Sequence, residues 1–329
     1  MAGDGGLGIA FLGCGFATTI HAKRLRSHRE VRTYFASRDR AKAEGFARKY
    51  GGAGAFGSYG EAIRDPRVHA VVVATPPDSY LELTLGALAA GKHAVVEKPP
   101  FMRAADFDAV RAAKEAAGRR VFVAENYFYK PLAEALREVL ASGDIGELRI
   151  VQVNALKLQE VAGWCADPAM GGPGALFEGG IHWINFMANL GLEVDGLQAF
   201  RPGSQAGPDR TMVVAFRYAG GAVGTLYYSW EIASALRGLH LSAVYGSAGT
   251  ATFETNGVFV LVRGRRKRLR GPSADIAGYA GMWRDFVPAL VENREPRFGF
   301  EAARRDLVLL EAAYRSLGRD LSVADLDPI

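Results

Sequence analysis

The chain has 329 residues, 49% of them apolar and 23% charged, a composition that excludes disordered, collagen-like and low-complexity proteins. At about 100–200 residues per domain this length implies two domains. Lys and Arg number 40 against 35 Asp and Glu, but six of the basic residues lie in Arg263–Arg270, and without them the net charge of +5 becomes −1, so a general basic field directed at nucleic acid is not indicated.

Leu7–Leu12 is a short apolar run that ends in Gly13-Cys14-Gly15, and a helical pattern follows over Thr19–Ser27. Val31–Ala36 reads as a strand and Asp39–Tyr50 as a helix. Val68–Ala74 is continuously apolar and β-branched, as in a strand buried on both faces. Asp78–Ala90 reads as a helix with Asp78 as N-cap and Gly91 as its stop. His93–Val96 is the next strand, Ala104–Ala117 a helix stopped by Gly118, and Arg120–Ala124 a further strand. Alternation of this kind predicts a doubly wound parallel sheet with helices on both faces, the Rossmann arrangement, over residues 1–125.

From residue 126 to residue 329 the pattern changes. Pro131–Ala141 reads as a helix, Glu147–Gln159 as a half-exposed strand, and Gly174–Leu190 as a Gly-rich loop running into a helix. Strand patterns follow at Leu197–Arg201, Met212–Tyr218, Ala222–Ile232, Arg237–Gly246, Thr250–Glu254 and Val258–Arg263, separated by hairpin signals such as Asn256-Gly257. Two helices, Gly278–Asn293 and Phe300–Leu317, close the chain. The expectation is an α+β domain on one large, mostly antiparallel open sheet. The Arg263–Arg270 ribbon reads as the charged edge of that sheet, a protection against edge-to-edge pairing. An anionic ligand is the alternative.

Cys14 and Cys165 make neither a disulfide framework nor a zinc spacing. His21, His28, His69, His93 and His240 show no ligand spacing either, so no metal is expected. The first residues lack the pattern of a signal peptide, and no apolar stretch approaches the ~20 residues of a membrane helix. A cytoplasmic protein with no membrane partner is the expectation.

Gly13-x-Gly15 directly after the first strand is the start of a dinucleotide fingerprint. Glycine there allows a sharp turn and lets pyrophosphate approach N–H groups at a helix N-terminus, which points to Gly13, Gly15, Phe16 and Ala17. The third fingerprint position is Thr18. At the end of the second strand, where NAD enzymes place an acid, the chain reads Ala36-Ser37-Arg38-Asp39. Ser37 and Arg38 suit an adenosine 2′-phosphate, with Asp39 as a helix cap, so NADP(H) is favoured and NAD(H) remains possible.

Val95-Val96-Glu97-Lys98-Pro99 puts an acid and a base at the carboxyl end of a buried strand, the edge at which doubly wound sheets bind ligands. A lysine beside a nicotinamide can hold a substrate oxygen and move its proton. The Glu97-Lys98-Pro99 turn follows the Gly13-Cys14-Gly15 loop and precedes a large sheet domain. With it occur Thr75-Pro76-Pro77, Ala90-Gly91-Lys92-His93, Asn126, and Asp167-Pro168 followed by Gly171–Leu176. Taken together these resemble the Gfo/Idh/MocA oxidoreductases, which include glucose–fructose oxidoreductase and inositol dehydrogenase.

The resemblance implies an NAD(P)-dependent oxidoreductase that interconverts an alcohol and a ketone on a sugar, cyclic polyol or sugar-like substrate. It adds Thr75, Pro76, Glu97, Lys98 and Asn126 to the cofactor-binding residues. In the second domain the family pattern is an Asp followed four residues later by a His; here Glu178 and His182 stand there, with Asn185 next along the same helical face. By resemblance, Lys98 and His182 handle the hydroxyl proton, and Glu178 binds a neighbouring hydroxyl or orients His182. Tyr127 and Trp164 are candidate substrate contacts, since aromatic faces suit a sugar ring. Family members self-associate through the open sheet face, which implies a homodimer or homotetramer. Redox-neutral glycosidases or lyases, and non-catalytic sugar- or nucleotide-sensing regulators, are the alternatives that the same fold offers.

Overall fold

The computed structural model describes residues 6–161, 163, 167–203, 206–233 and 239–318; Trp164 and Cys165 lie outside them. The chain opens with β1 (Leu7–Leu12), α1 (Phe16–Leu25), β2 (Val31–Ala36), α2 (Arg40–Tyr50), β3 (Gly54–Phe56) and α3 (Tyr59–Arg64). It continues through β4 (Ala70–Val73), α4 (Tyr80–Ala89), β5 (His93–Val96), α5 (Asp106–Ala117) and β6 (Val121–Val123). These six strands form one parallel sheet in the order β3-β2-β1-β4-β5-β6, with β1 paired to β2 from Leu7↔Val31 to Leu12↔Ala36. Every residue of β1, β4 and β5 is buried, which is why their sequences run apolar without alternation. The order reverses between β1 and β4, so the crevice of the sheet opens where Gly13 and Ala74 leave those strands.

Two local expectations change. The first helix begins at Phe16 rather than Thr19, because the Thr18 hydroxyl turns back to the Gly13 carbonyl (2.7 Å) and leaves the helix free to open at Gly15. Asp78 does not cap α4; the chain enters that helix through a 3₁₀ turn, Pro77–Ser79, in which the Ser79 hydroxyl donates to Pro76 O at 2.9 Å. The stops at Gly91 and Gly118 are as expected, with φ of 69° and 60°, in the left-handed region that glycine enters without strain.

The later elements are α6 (Pro131–Ser142), β7 (Leu148–Leu156), the single turn α7 (Pro168–Gly171) and a π-helical turn at Leu176–Gly180 that runs into α8 (Ile181–Ala188). Then come β8 (Val194–Phe200), β9 (Thr211–Tyr218), β10 (Val223–Ser229), β11 (Leu241–Gly246), β12 (Gly249–Glu254), β13 (Val260–Arg263) and β14 (Lys267–Arg270), and finally α9 (Tyr279–Glu292) and α10 (Phe300–Ser316). The second sheet has the order β14-β13-β12-β11-β7-β10-β9-β8 and is antiparallel except for β7 and β10. One face is apolar and buried, through Val151, Val153, Leu226 and Val244. On the other, register sets Val223, Ile150 and Tyr245 in one row across three neighbouring strands, exposed at 46%, 46% and 39%.

The basic ribbon is the β13–β14 hairpin, and β14 is the edge of the sheet. Its cations are partly paired within the fold: Arg268 meets the buried Asp144 at 2.6 Å, and Arg270 pairs with Glu138. No helix among the described residues is long and apolar enough to cross a membrane.

The chain divides into two compact units. One comprises Met1–Lys130, Ala162–Gly172 and Ala277–Leu307; the other comprises Pro131–Val161, Pro173–Ile276 and Val308–Ile329. The partition is thus not a single cut after residue 125, because α9 and the start of α10 return to the unit that contains the parallel sheet.

Candidate functional site

At the carboxyl end of β1, Gly13 has φ of 105°, and a Cβ on it would lie 2.6 Å from Ala74 O. Only glycine fits there. Gly15 is different: its backbone is extended, and nothing lies within 4 Å of where its Cβ would be. That open cradle sits at the N-terminus of α1, a helix with no side-chain cap and no acid in its first turn. Such an end, with its first N–H groups uncapped by any side chain, is matched to an anion. Phe16 is 83% exposed beside the cradle. Cys14 is buried, and burial, opposed by the charge of Lys42, pushes its thiol up to about 11, so it stays neutral.

At the end of β2, Asp39 caps α2, its Oδ1 accepting from the N–H groups of Ala41 (3.0 Å) and Lys42 (3.3 Å). The Ser37 hydroxyl accepts from Asp39 N at 3.2 Å, and Arg38 is exposed. The carboxylate here therefore serves the helix, and Arg38 and Asp39 are both exposed.

At the end of β5 the Glu97-Lys98-Pro99 turn is held from behind by a buried chain of hydrogen bonds. Trp283 Nε1 donates to His21 Nδ1 (3.0 Å), and His21 Nε2 lies 2.5 Å from Glu97 Oε1. Because Trp283 can only donate, it fixes a neutral His21 with its proton on Nε2, aimed at the carboxylate. The second oxygen of Glu97 accepts the Lys98 backbone N–H at 3.1 Å. Burial raises the Glu97 carboxyl, but the His21 hydrogen bond, the Lys98 charge and the Lys98 N–H outweigh burial and hold it below the usual carboxylate range. The two oxygens of Glu97, a residue expected at the cofactor, serve His21 and the Lys98 N–H. Lys98 itself is half-buried, and the Lys98–Pro99 peptide is cis.

Thr75 and Pro76 leave β4 next to this turn, with the Thr75 and Ser79 hydroxyls 2.6 Å apart. Asn126, after β6, is buried. Its Nδ2 donates to Ala277 O (2.6 Å), while its Oδ1 has no partner among the described residues and is an acceptor suited to a bound donor. The Tyr127 N–H donates to Glu125 Oε1 (3.0 Å), and the Tyr127 ring carries Lys130 Nζ 4.2 Å from its centroid. That cation–π pair gives the ring a partner within its own unit. Trp164 lies outside the described residues.

In the other unit, Glu178 sits in the π-helical turn and His182 in the first turn of α8, both half-buried, with Asn185 buried one turn on. Two side chains hold the start of this segment. Asp209 Oδ2 accepts from Leu176 N (2.9 Å), Tyr314 Oη accepts from Phe177 N (3.1 Å), and Tyr314 Oη donates to Asp209 Oδ1 at 2.6 Å. The two glycines after Glu178 lie against β10 and the residue after it. A Cβ on Gly179 would be 2.2 Å from Tyr228 Oη, itself bonded by Trp230 Nε1 at 2.7 Å. Gly179→Ala is therefore expected to cost about 2 kcal/mol in urea unfolding. An unchanged midpoint would show that Tyr228 yields freely.

A profile of the oxidoreductase family with an NAD-binding Rossmann fold matches residues 7–125, and one of the GFO/IDH/MocA C-terminal domain matches residues 133–252. The chain is also similar to trans-1,2-dihydrobenzene-1,2-diol dehydrogenase of Sus scrofa, 32% identical over 264 residues that cover 78% of this chain and 76% of the relative. The chain belongs to the Gfo/Idh/MocA oxidoreductase family. Solved structures of the same fold include an oxidoreductase domain protein from Kribbella flavida (TM-score 0.83, 22% identity, 95% of this chain and 97% of that one). Another is levoglucosan dehydrogenase in complex with NADH and levoglucosan (TM-score 0.83, 21% identity, 94% and 97%).

As a Gfo/Idh/MocA oxidoreductase the protein shows supporting residues that sequence reasoning passed over. His21 carried a signal, being six residues beyond Gly15 on the helix that the fingerprint opens. Trp283, Asp209 and Tyr314 carried none: Trp283 reaches His21 across 262 residues of chain, Tyr314 reaches Asp209 across 105, and Asp209 reaches Leu176 across 33. Among the described residues no group of three or more His, Cys, Asp or Glu is placed to hold a metal ion.

Proposed function

We propose that this oxidoreductase interconverts an alcohol and a ketone on a cyclic diol, polyol or sugar, with Lys98 and His182 as the proton-transfer groups and NADP(H) as the preferred cofactor. The observation that carries the reading is Lys98 at the carboxyl edge of the parallel sheet, its backbone N–H fixed by a carboxylate that His21 and Trp283 hold in turn. Names of relatives support the substrate class: a dihydrobenzenediol and levoglucosan both present hydroxyls on a ring.

The bound nicotinamide would accept or give the hydride. Lys98 would hold the reacting oxygen and, with His182, take or return its proton. Glu178, one carbon longer than the family's Asp, would bind a neighbouring hydroxyl or orient His182. Turnover of cyclic diols and sugars with NADP⁺, lost in both Lys98→Met and His182→Gln, would support the assignment. Tight cofactor binding without turnover on any such substrate would sink it.

The cofactor preference rests on Arg38. A charge-assisted contact to a 2′-phosphate is worth about 1.5–3 kcal/mol, so Arg38→Ala is expected to weaken NADPH about tenfold or more and to leave NADH nearly unchanged. Fluorescence titration of both nucleotides decides this, and equal weakening of the two would remove Arg38 from the 2′ site.

Self-association through the open face of the second sheet is part of the same reading. The Val223–Ile150–Tyr245 row is an apolar patch of the kind that marks an interface. Ile150→Lys is expected to convert a dimer or tetramer to a monomer in light-scattering chromatography. A variant that keeps the parent mass would put the interface elsewhere.

A further inference from the structure

The unit containing the parallel sheet has a second cavity, at the opposite end of the strands from Gly13 and Lys98. It measures about 170 Å³ and is lined around the amino ends of β1, β4 and β5 by Leu7, His69, Lys92, His93, Arg119 and Asn293, among others. At about 30 Å³ per water this is room for about five waters, enough for a phosphate or sulfate group. Among the described residues no carboxylate lines it.

Both imidazoles are held in one tautomer by the backbone. Gly8 N–H donates to His69 Nδ1 (2.9 Å) and Arg120 N–H donates to His93 Nδ1 (3.1 Å), so in each neutral ring the proton sits on Nε2. Neither Nε2 has a partner among the described residues, and His93 is only 6% exposed. Lys92 Nζ is anchored on Asp65 O (3.0 Å) and Val68 O (2.6 Å), and Arg119 Nε on Gly91 O (2.6 Å). All those acceptors are carbonyls, so among the described residues neither cation makes a direct ion pair at the cavity. Among the described residues, Asp65 pairs with Arg67 at 2.7 Å, and Glu295 with Lys114 and Arg120.

We propose that this cavity binds a small oxyanion, inorganic phosphate or a phosphate monoester, through the Nε2–H groups of His69 and His93 and the charges of Lys92 and Arg119. Two imidazoles also suit a divalent cation, but the two fixed positive charges oppose one. The electrostatics of the cavity favour an anion. Burial together with the Arg119 and Arg120 charges pushes His93 down to about 4. His69 and Lys92 are lowered for the same kinds of reason, burial first and neighbouring cations after it, with Asp65 partly offsetting the shift on Lys92. A bound anion reverses these repulsions and favours proton uptake by the rings, so binding tightens as pH falls.

The test is calorimetric titration of the full chain with inorganic phosphate and with sulfate, at about pH 7.5 and about pH 6. It is repeated after saturation with NADPH, which occupies the pyrophosphate cradle. Expected are binding that survives NADPH, a tighter site at the lower pH, and at least about tenfold weaker binding in Arg119→Gln and in His93→Asn. The asparagine keeps an acceptor for the Arg120 N–H, and unchanged NADPH binding reports that either variant is folded. Phosphate binding abolished by NADPH, binding equal in the variants, or a site that takes zinc and not phosphate would each overturn the proposal.

Discussion

Lys98→Met is expected to lower turnover by about three orders of magnitude while leaving dinucleotide binding within a few-fold of the parent. Methionine keeps the length and apolar stem of lysine and removes only the ammonium. The Glu97–Lys98 backbone contact does not depend on that side chain, so the turn stays in place. The prediction is read from single-turnover rates and from NADPH fluorescence on the same preparation. A variant that retains more than about a tenth of the parent rate would mean that Lys98 neither holds nor protonates the reacting oxygen. Loss of cofactor binding together with turnover would make it a binding residue instead.

The second large effect is on stability. His21→Ala removes the hydrogen bond at 2.5 Å to a carboxylate that is 7% exposed and leaves the Trp283 indole without its acceptor. A buried charge stripped of its partner costs about 3–5 kcal/mol, which urea unfolding near neutral pH will read. The pH dependence has a definite sign. In the parent, Glu97 titrates below its unfolded value, so its contribution is present above that value and is lost as pH falls through the folded one. In the variant, burial wins, the carboxyl titrates above its unfolded value, and the folded state takes up a proton. The penalty of His21→Ala should therefore shrink as pH falls toward about 5. His21→Gln, whose amide can donate to Glu97 and accept from Trp283, is expected to recover part of the loss. A penalty independent of pH in both variants would show a packing defect and no electrostatic role.

Some of this was legible in the sequence. Strands β1 and β5 declare themselves to the residue, since every position in them is buried and they end at glycine or charge; β2 is equally legible, from its β-branched and aromatic run, though its first half is partly exposed. The smallest elements did not. β3 has three residues and α3 six, too few for either periodicity to register. β14 was legible as a charged edge of the sheet but not as a strand of its own: Lys267-Arg268-Leu269-Arg270 has one apolar residue, and that one is 71% exposed. The Glu-Gly-Gly of the π-helical turn reads locally as a helix breaker. What makes those glycines necessary is Tyr228 and Trp230, about fifty residues later, which lie where side chains would go. The catalytic candidates were visible as residue types at element ends, whereas the groups that aim them depend on tertiary contacts.

The return of α9 to the first unit has a consequence for the order in which the protein is made. Trp283 meets His21 across 262 residues of chain, so the ribosome releases every strand of the parallel sheet well before the indole that sets the His21 tautomer. At about 5–20 residues per second that interval is on the order of half a minute. Throughout it the nascent nucleotide-binding unit carries a buried histidine free to take either tautomer and an apolar surface where Trp283 and Phe286 will dock. Translation that halts before α9 would thus leave a sheet with its topology complete and its Glu97-Lys98-Pro99 turn unanchored.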